Sequence, residues 1–236
     1  MIDNVVVLRE AWKSVLATLG VAAQDAIVVG GPPATAIGEA IPVGLSGDAS
    51  SLVTLGSGPS LRAGATPGAT TLDDASIDVA MLLGAWGASD ELAEVVGEAR
   101  RVLRPGGTAW LGRWDLDAIM RSTPATNRSV LMYRSYPAAA PTTLRNNGMG
   151  AALELAAVRA RFRGVSATAI DLPTAALADA DGYVDAVMGG LWPGIQALSV
   201  HQRTELARDI RRSLRGAVYP MIEYQPWYLV SAVKPA

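Results

Sequence analysis

Residues 73–114, DDASIDVAMLLGAWGASDELAEVVGEARRVLRPGGTAWLGRW, restrict the fold more than any other stretch of the chain. Ile77 to Leu83 is a short, nearly continuous apolar run, the pattern of a strand buried on both faces. After the loop Gly84-Ala85-Trp86-Gly87-Ala88, Ser89 occupies an N-cap position, and Asp90 and Glu91 favour the positive end of a helix. Leu92, Val95, Val96, Ala99, Val102 and Leu103 recur at helical spacing, with Glu94, Glu98, Arg100 and Arg101 mostly between them. Arg104-Pro105-Gly106-Gly107 should stop that helix, because proline cannot continue it and glycine supplies a turn. Thr108 to Trp114 then reads as a second buried strand. Strand, helix and strand within about forty residues make a right-handed βαβ unit and hence a parallel sheet.

The bulk properties narrow the function classes. At 236 residues the chain suits one domain, divided as an N-terminal helix (1–24), a first half (25–114) and a second half of loop, helices and terminal strands (115–236). A net charge of −2 without a block of like charge gives no electrostatic case for nucleic acid or an anionic membrane. No apolar run approaches the eighteen or so residues of a membrane span, and the early charges Asp3, Arg9, Glu10 and Lys13 argue against a secretory signal. The absence of cysteine excludes disulfides and thiolate metal sites and favours a cytoplasmic protein. With a single histidine, His201, no His-rich metal site can be built, and no metal is expected.

The string DDASIDVAMLLGAW, the amphipathic helix and then EARRVLRPGGTAWL together resemble the middle of class I S-adenosylmethionine-dependent methyltransferases. The branch it looks most like is the small-molecule one that includes the ubiquinone and menaquinone enzymes. The resemblance implies an α/β, Rossmann-like fold: a seven-stranded, mostly parallel sheet with an antiparallel last strand and helices on both faces. It also implies S-adenosylmethionine as cofactor and a small-molecule substrate. A protein partner or a homodimer stays open.

Read in order, Val5 to Leu19 is an amphipathic helix ended by Gly20. Asp25 to Pro33 should hold the first strand and its loop, where a nucleotide fold receives its ligand. The family carries an acid in this strand and three glycines after it. Here Gly30 and Gly31 match, Val28 or Val29 replaces the acid, and Pro32 and Pro33 remove two backbone donors. Pro42 to Leu45 is expected as the second strand. The family ends that strand with a ribose-binding acid; Ser46 stands nearest, and Asp48, two residues on, is the alternative if Gly47-Asp48 is not simply a turn. Ala49 to Pro59 is expected as a small helix or irregular loop, and Ser60 to Thr66 as the third strand. Ala65 there takes the place of an adenine-binding aspartate. The cofactor-binding set implied by the resemblance is therefore Gly30, Gly31, Ser46, Asp48, Ala65, Gly84, Ala85 and Trp86, with Trp86 equally readable as a core residue. No catalytic residue is assigned.

Residues 115–141 mix Arg121, Arg128, Arg134, Tyr133 and Tyr136 with prolines and read as a lid or crossover loop. Its arginines either clasp an acidic substrate or face solvent. Helices are expected over 146–162, 179–191 and 199–214, the last with a Ser199/Gln202 capping box, and strands over 165–172 and 227–235. His201 reads as an exposed helix residue and the arginines around it as a solvated face. Two functional readings follow. One is a methyltransferase for a small apolar or aromatic metabolite. The other is a degenerate relative that keeps the fold as a partner subunit, ligand carrier or repurposed enzyme.

Overall fold

The structure, a computed structural model, describes residues 4–21, 27–30, 52–55, 72–84, 89–140 and 149–236. The βαβ unit is present where the sequence places it: β3 (Ile77–Leu83), α2 (Ser89–Val102) and β4 (Leu103–Trp114). Around it lie α1 (Asn4–Thr18), β1 (Ile27–Gly30), β2 (Leu52–Leu55), α3 (Leu116–Arg121), α4 (Ser129–Ser135), α5 (Met149–Arg159), β5 (Arg163–Leu177), α6 (Ala180–Ala186), α7 (Val200–Ser213) and β6 (Met221–Val233). Among the described residues six strands form one sheet in the order β2-β1-β3-β4-β6-β5. The first four run parallel, and β6 lies antiparallel between β4 and β5. The mostly parallel α/β sheet with a reversed last strand is thus confirmed.

Alternation along the central strands sorts the core into two layers. Ala80 and Leu82 of β3, Ala109 and Leu111 of β4, and Val230 and Ala232 of β6 pack with Leu92, Val95, Val96 and Ala99 of α2 and Leu153 and Ala157 of α5. Val79, Met81, Leu83, Trp114, Trp227 and Leu229 face the other side, against Leu8, Trp12 and Leu16 of α1 and residues of α4, α6 and α7. Each fully buried leucine or valine in these layers contributes roughly 1.5–3 kcal/mol.

Several expectations need correction. A strand stands at Leu52–Leu55, paired with β1, where a small helix or loop was expected. The flanking glycines and serines hide it in the sequence, but Leu-Val-Thr-Leu can gain a full ladder beside β1. The second and third strands expected at 42–45 and 60–66 lie outside the described residues. Arg104 to Gly107 is not a free turn. It is a bulge inside β4: Leu103 pairs with Ile77 and Thr108 with Val79, so four residues oppose one. Gly106 has φ 82°, and its N–H donates to Lys234 O, while Lys234 N–H returns a bond to Gly107 O. A Cβ on Gly107 would sit 2.9 Å from the carbonyl oxygen of Asp78, so the Pro-Gly-Gly run lets the bulge press onto β3.

Residues 115–140 are folded rather than an open lid. Asp115 caps α3 by accepting from Ala118 N at 2.8 Å, and the Asn127 side chain accepts from Ser129 N at 3.0 Å as α4 begins. The terminal strand starts six residues earlier than its sequence boundary, and β5 extends to Leu177 to pair with it. The helix expected to run to Leu191 gives way after Ala186 to a wider turn, with Gly190 at φ 117°. The Ser199/Gln202 capping box forms as expected.

Candidate functional site

In an open parallel sheet, ligands bind at the carboxyl ends of the strands, where the strand order reverses. Here that point is β1, which has β2 on one side and β3 on the other. Gly30 is the last residue of β1, level with Leu55 of β2 and Leu82 of β3. Gly84 follows β3 directly and is buried; its N–H donates to Gly112 O at 2.9 Å, which holds the chain against β4 at the end of β3. The structure therefore brings Gly30 and Gly84 to one edge of the sheet, on neighbouring strands. Gly31, Ser46, Asp48, Ala65, Ala85 and Trp86 lie outside the described residues. For a cofactor that needs close backbone approach, the two described positions fit, since neither has a Cβ to obstruct it. The last residue of β2 is Leu55, so no carboxylate occupies the final position of that strand.

Above the same edge stands a second layer. The last ladder pair of β4 and β6 is Trp114 with Trp227, and Asp115 N–H donates to Pro226 O. Residues 221–225 therefore run past the end of β4, paired within the sheet with β5. Glu223 lies three residues beyond that level, roughly 10 Å further along the strand at about 3.3 Å per residue. It shares its face with Trp227 and Leu229, so its side chain enters the aromatic layer built by Trp12, Tyr133, Tyr183, Trp192 and Trp227.

Glu223 is only 4% exposed. Its Oε1 accepts from Gln225 Nε2 at 2.7 Å and from Trp192 Nε1 at 3.4 Å. Gln225 Oε1 in turn accepts from Asn127 Nδ2 at 3.2 Å and Ser129 Oγ at 3.3 Å, and Ser129 Oγ donates to Asn127 Oδ1 at 2.6 Å. Burial pushes the Glu223 carboxyl above its ordinary range, against the smaller opposing influence of its hydrogen-bonding neighbours and of Arg128. Burial likewise pushes the Tyr183 and Tyr133 hydroxyls up. Tyr133 donates to Pro193 O at 2.9 Å, whereas Tyr183 lies against Glu223 without hydrogen-bond geometry. Sequence reasoning missed this nest. Its signal was an acid and an amide at 223 and 225, in phase with Trp227 and Leu229 on one strand face.

The three arginines of 115–141 separate by their surroundings. Arg134 donates to Met120 O and Ser122 O and so ties α4 to the end of α3. Arg121 is exposed. Arg128 lies over the Tyr183 ring, its Cζ 5.8 Å from the centroid, and reaches Met221 Sδ at 3.5 Å. Arg113, near the end of β4, is buried; desolvation lowers its pKa, while Asp115 and Asp117 act in the opposite direction. His201 is exposed and 3.4 Å from Glu205, as expected for a surface helix residue. The arginines of α7 make surface contacts: Arg211 with Asp181 and Arg212 with Asp209, both at 3.0 Å. At the opposite, amino edge of the sheet, Leu19–Val21, Asp78, Arg104 and Trp110 help line a cleft of about 330 Å³. Arg104 closes it with bonds of 3.0 and 3.1 Å to both Asp78 oxygens. That cleft is on the wrong edge for the strand-end ligand.

Comparison with known proteins bears on the fold. Residues 57–111 match the family described as "Methyltransferase domain". That span begins after β2, ends within β4 and leaves out β1. A protein from Anabaena variabilis, described as a methyltransferase of an antibiotic biosynthesis pathway, superposes with a TM-score of 0.57 at 13% identity, over 96% of this chain and 97% of that one. The chain has a class I methyltransferase fold. Less similar are a sarcosine dimethylglycine methyltransferase described from Galdieria sulphuraria (TM-score 0.48, 15% identity, 96% and 85% covered) and a methyltransferase from Archaeoglobus fulgidus (0.47, 12%, 96% and 94%). No curated protein matches in sequence. Within that fold, Gly30 and Gly84 stand at the carboxyl edge of the sheet, and residues 221–225 of β6 run past the end of β4 at the same edge. Among the described residues no helix is long and apolar enough to cross a membrane, and no group of acidic or histidine side chains could hold a metal ion.

Proposed function

We propose that the chain is an S-adenosylmethionine-dependent methyltransferase acting on a small metabolite. The observation that carries this reading is the stacking of two layers on one edge: glycine-ended strands at the reversal of strand order, and a buried aromatic and polar layer above them. Gly30 and Gly84 would let the cofactor lie against the backbone, with Gly31, Ser46, Asp48, Ala65, Ala85 and Trp86 completing its contacts. The cofactor supplies an electrophilic methyl group on a sulfonium. The protein's part is to hold an acceptor in line with it and to exclude water, which can provide much of the rate without a strong base. The aromatic side chains Trp114, Trp192, Trp227 and Tyr183 suit a flat or apolar acceptor.

A second reading is favoured by one specific observation. The family match begins only at residue 57, and the first loop replaces glycine with Pro32 and Pro33. A chain that has lost its cofactor would keep the fold as a partner subunit or carrier. Incubation with methyl-labelled S-adenosylmethionine and a small-molecule extract separates the two. Label in a low-mass product is expected. An unlabelled extract together with co-purification of a stoichiometric partner protein would favour the second reading.

A further inference from the structure

We propose that Arg128, Tyr183 and Tyr219 form a binding site for a carboxylate borne by a small molecule, at the far end of the layer above the sheet. The proposal deepens the methyltransferase reading by making that molecule the methyl acceptor, and rests on it only for that step.

Three observations converge. First, Arg128 Nε, Tyr183 Oη and Tyr219 Oη are each buried and meet no acceptor at hydrogen-bond geometry among the described residues, although Tyr183 Oη faces the Glu223 carboxyl. A buried donor left unpaired is costly, so such a cluster calls for an acceptor that the described residues do not supply in good geometry. Second, they are neighbours. Arg128 lies over the Tyr183 ring and against Met221 Sδ, and its charge acts on Tyr183, Tyr219 and Glu223 alike. Third, among the described residues the guanidinium makes no ion pair. Its one polar bond is to a thioether sulfur, a weak acceptor. Arg134 and Arg211, by contrast, bond to backbone carbonyls and to Asp181.

The nearby acids do not complete the cluster. Asp179 accepts from Gly182 N at 2.8 Å as the cap of α6. Glu223 Oε1 is engaged by Gln225 and Trp192, and burial raises its pKa, which reduces the charge it presents to an incoming anion. A carboxylate has about four lone-pair directions on two oxygens, which suits the planar fork of an arginine flanked by hydroxyl donors. A cationic group would meet a guanidinium already stacked on the only adjacent described ring face. The cluster sits beside Met221, the first residue of β6, so a molecule held here by its carboxylate would extend towards Trp227 and the strand ends.

The test uses benzoate and benzyl alcohol as probes with the full chain, followed by tryptophan fluorescence and calorimetry at constant ionic strength. Trp192 reports because its ring is 6.2 Å from Tyr183. Benzoate is expected to bind saturably. Arg128→Gln should weaken it at least ~10-fold and Tyr219→Phe by a smaller factor, while benzyl alcohol binds much more weakly than benzoate. Circular dichroism checks that both variants fold; Tyr219→Phe, which preserves shape, keeps the test decisive if Arg128→Gln does not. No benzoate binding at tens of millimolar, equal binding of the alcohol, or binding unchanged in the folded variants would overturn the proposal. S-adenosylhomocysteine titrated separately keeps the two claims apart. Its binding without benzoate binding sinks only the carboxylate site, and the converse sinks only the methyltransferase reading.

Discussion

Replacing Glu223 by glutamine should make the protein more stable at neutral pH, by an amount that grows as pH rises from mild acid. The carboxyl is 4% exposed, and burial is the largest influence raising its pKa. An unfolded glutamate titrates near about 4.3. A raised folded value means that the folded state holds the proton over a range in which the unfolded state has released it. The stability from this group is therefore complete below the unfolded pKa and is lost as pH climbs towards the folded one. Between those values the slope is about 1.4 kcal/mol per pH unit. Glutamine keeps an oxygen to accept from Gln225 and Trp192, at 2.7 and 3.4 Å in the parent, and has no proton to lose. Urea unfolding of both proteins at several pH values between mild acid and mild base tests this directly. The stability difference should widen in favour of glutamine with rising pH and level off once the folded carboxyl has titrated. A difference independent of pH, or one that shifts in favour of glutamate as pH rises, would refute the argument that burial governs this group.

Other outcomes follow from the same geometry. Gly112→Ala should lower stability by roughly 1–3 kcal/mol in thermal unfolding, because a Cβ would press into the Leu83 and Leu229 methyls between β3 and β6. Asp115→Ala should remove the cap of α3 and lower stability by about 1 kcal/mol, with Asp115→Asn restoring most of it. The Tyr228 hydroxyl, pushed up to about 12 chiefly by its 2.5 Å bond to Glu154, should titrate nearer the ordinary tyrosine value in Glu154→Gln, as read by ultraviolet absorbance. His201→Ala should leave stability within about 0.5 kcal/mol and leave any methyl transfer unchanged, since the ring is on the surface of α7.

The central unit was legible because its signals agree: an apolar run, a helical period from Leu92 to Val102, and a Pro-Gly-Gly stop. The same agreement made the capping box at Ser199 readable. Legibility failed where tertiary context overrides local pattern. Leu52–Leu55 is only four residues among glycine and serine, and the adjacent strand β1 provides its hydrogen bonds. The terminal strand was expected only from Trp227, yet β6 begins at Met221, runs through Pro226 and carries Glu223 and Gln225 into the aromatic layer. The arginines of 115–141 could not be separated by composition. Only the structure shows Arg134 bonded to backbone carbonyls and Arg128 set over a tyrosine ring, without an ion pair among the described residues. Of the eight residues the sequence named for cofactor binding, the structure describes Gly30 and Gly84, both at the strand ends.

The most direct test of the central claim is calorimetric titration of the purified protein with S-adenosylmethionine and S-adenosylhomocysteine. The account predicts saturable binding of both with dissociation constants in the micromolar range, about −8 kcal/mol. Absence of heat, with no thermal stabilisation by either ligand at millimolar concentration, would contradict it.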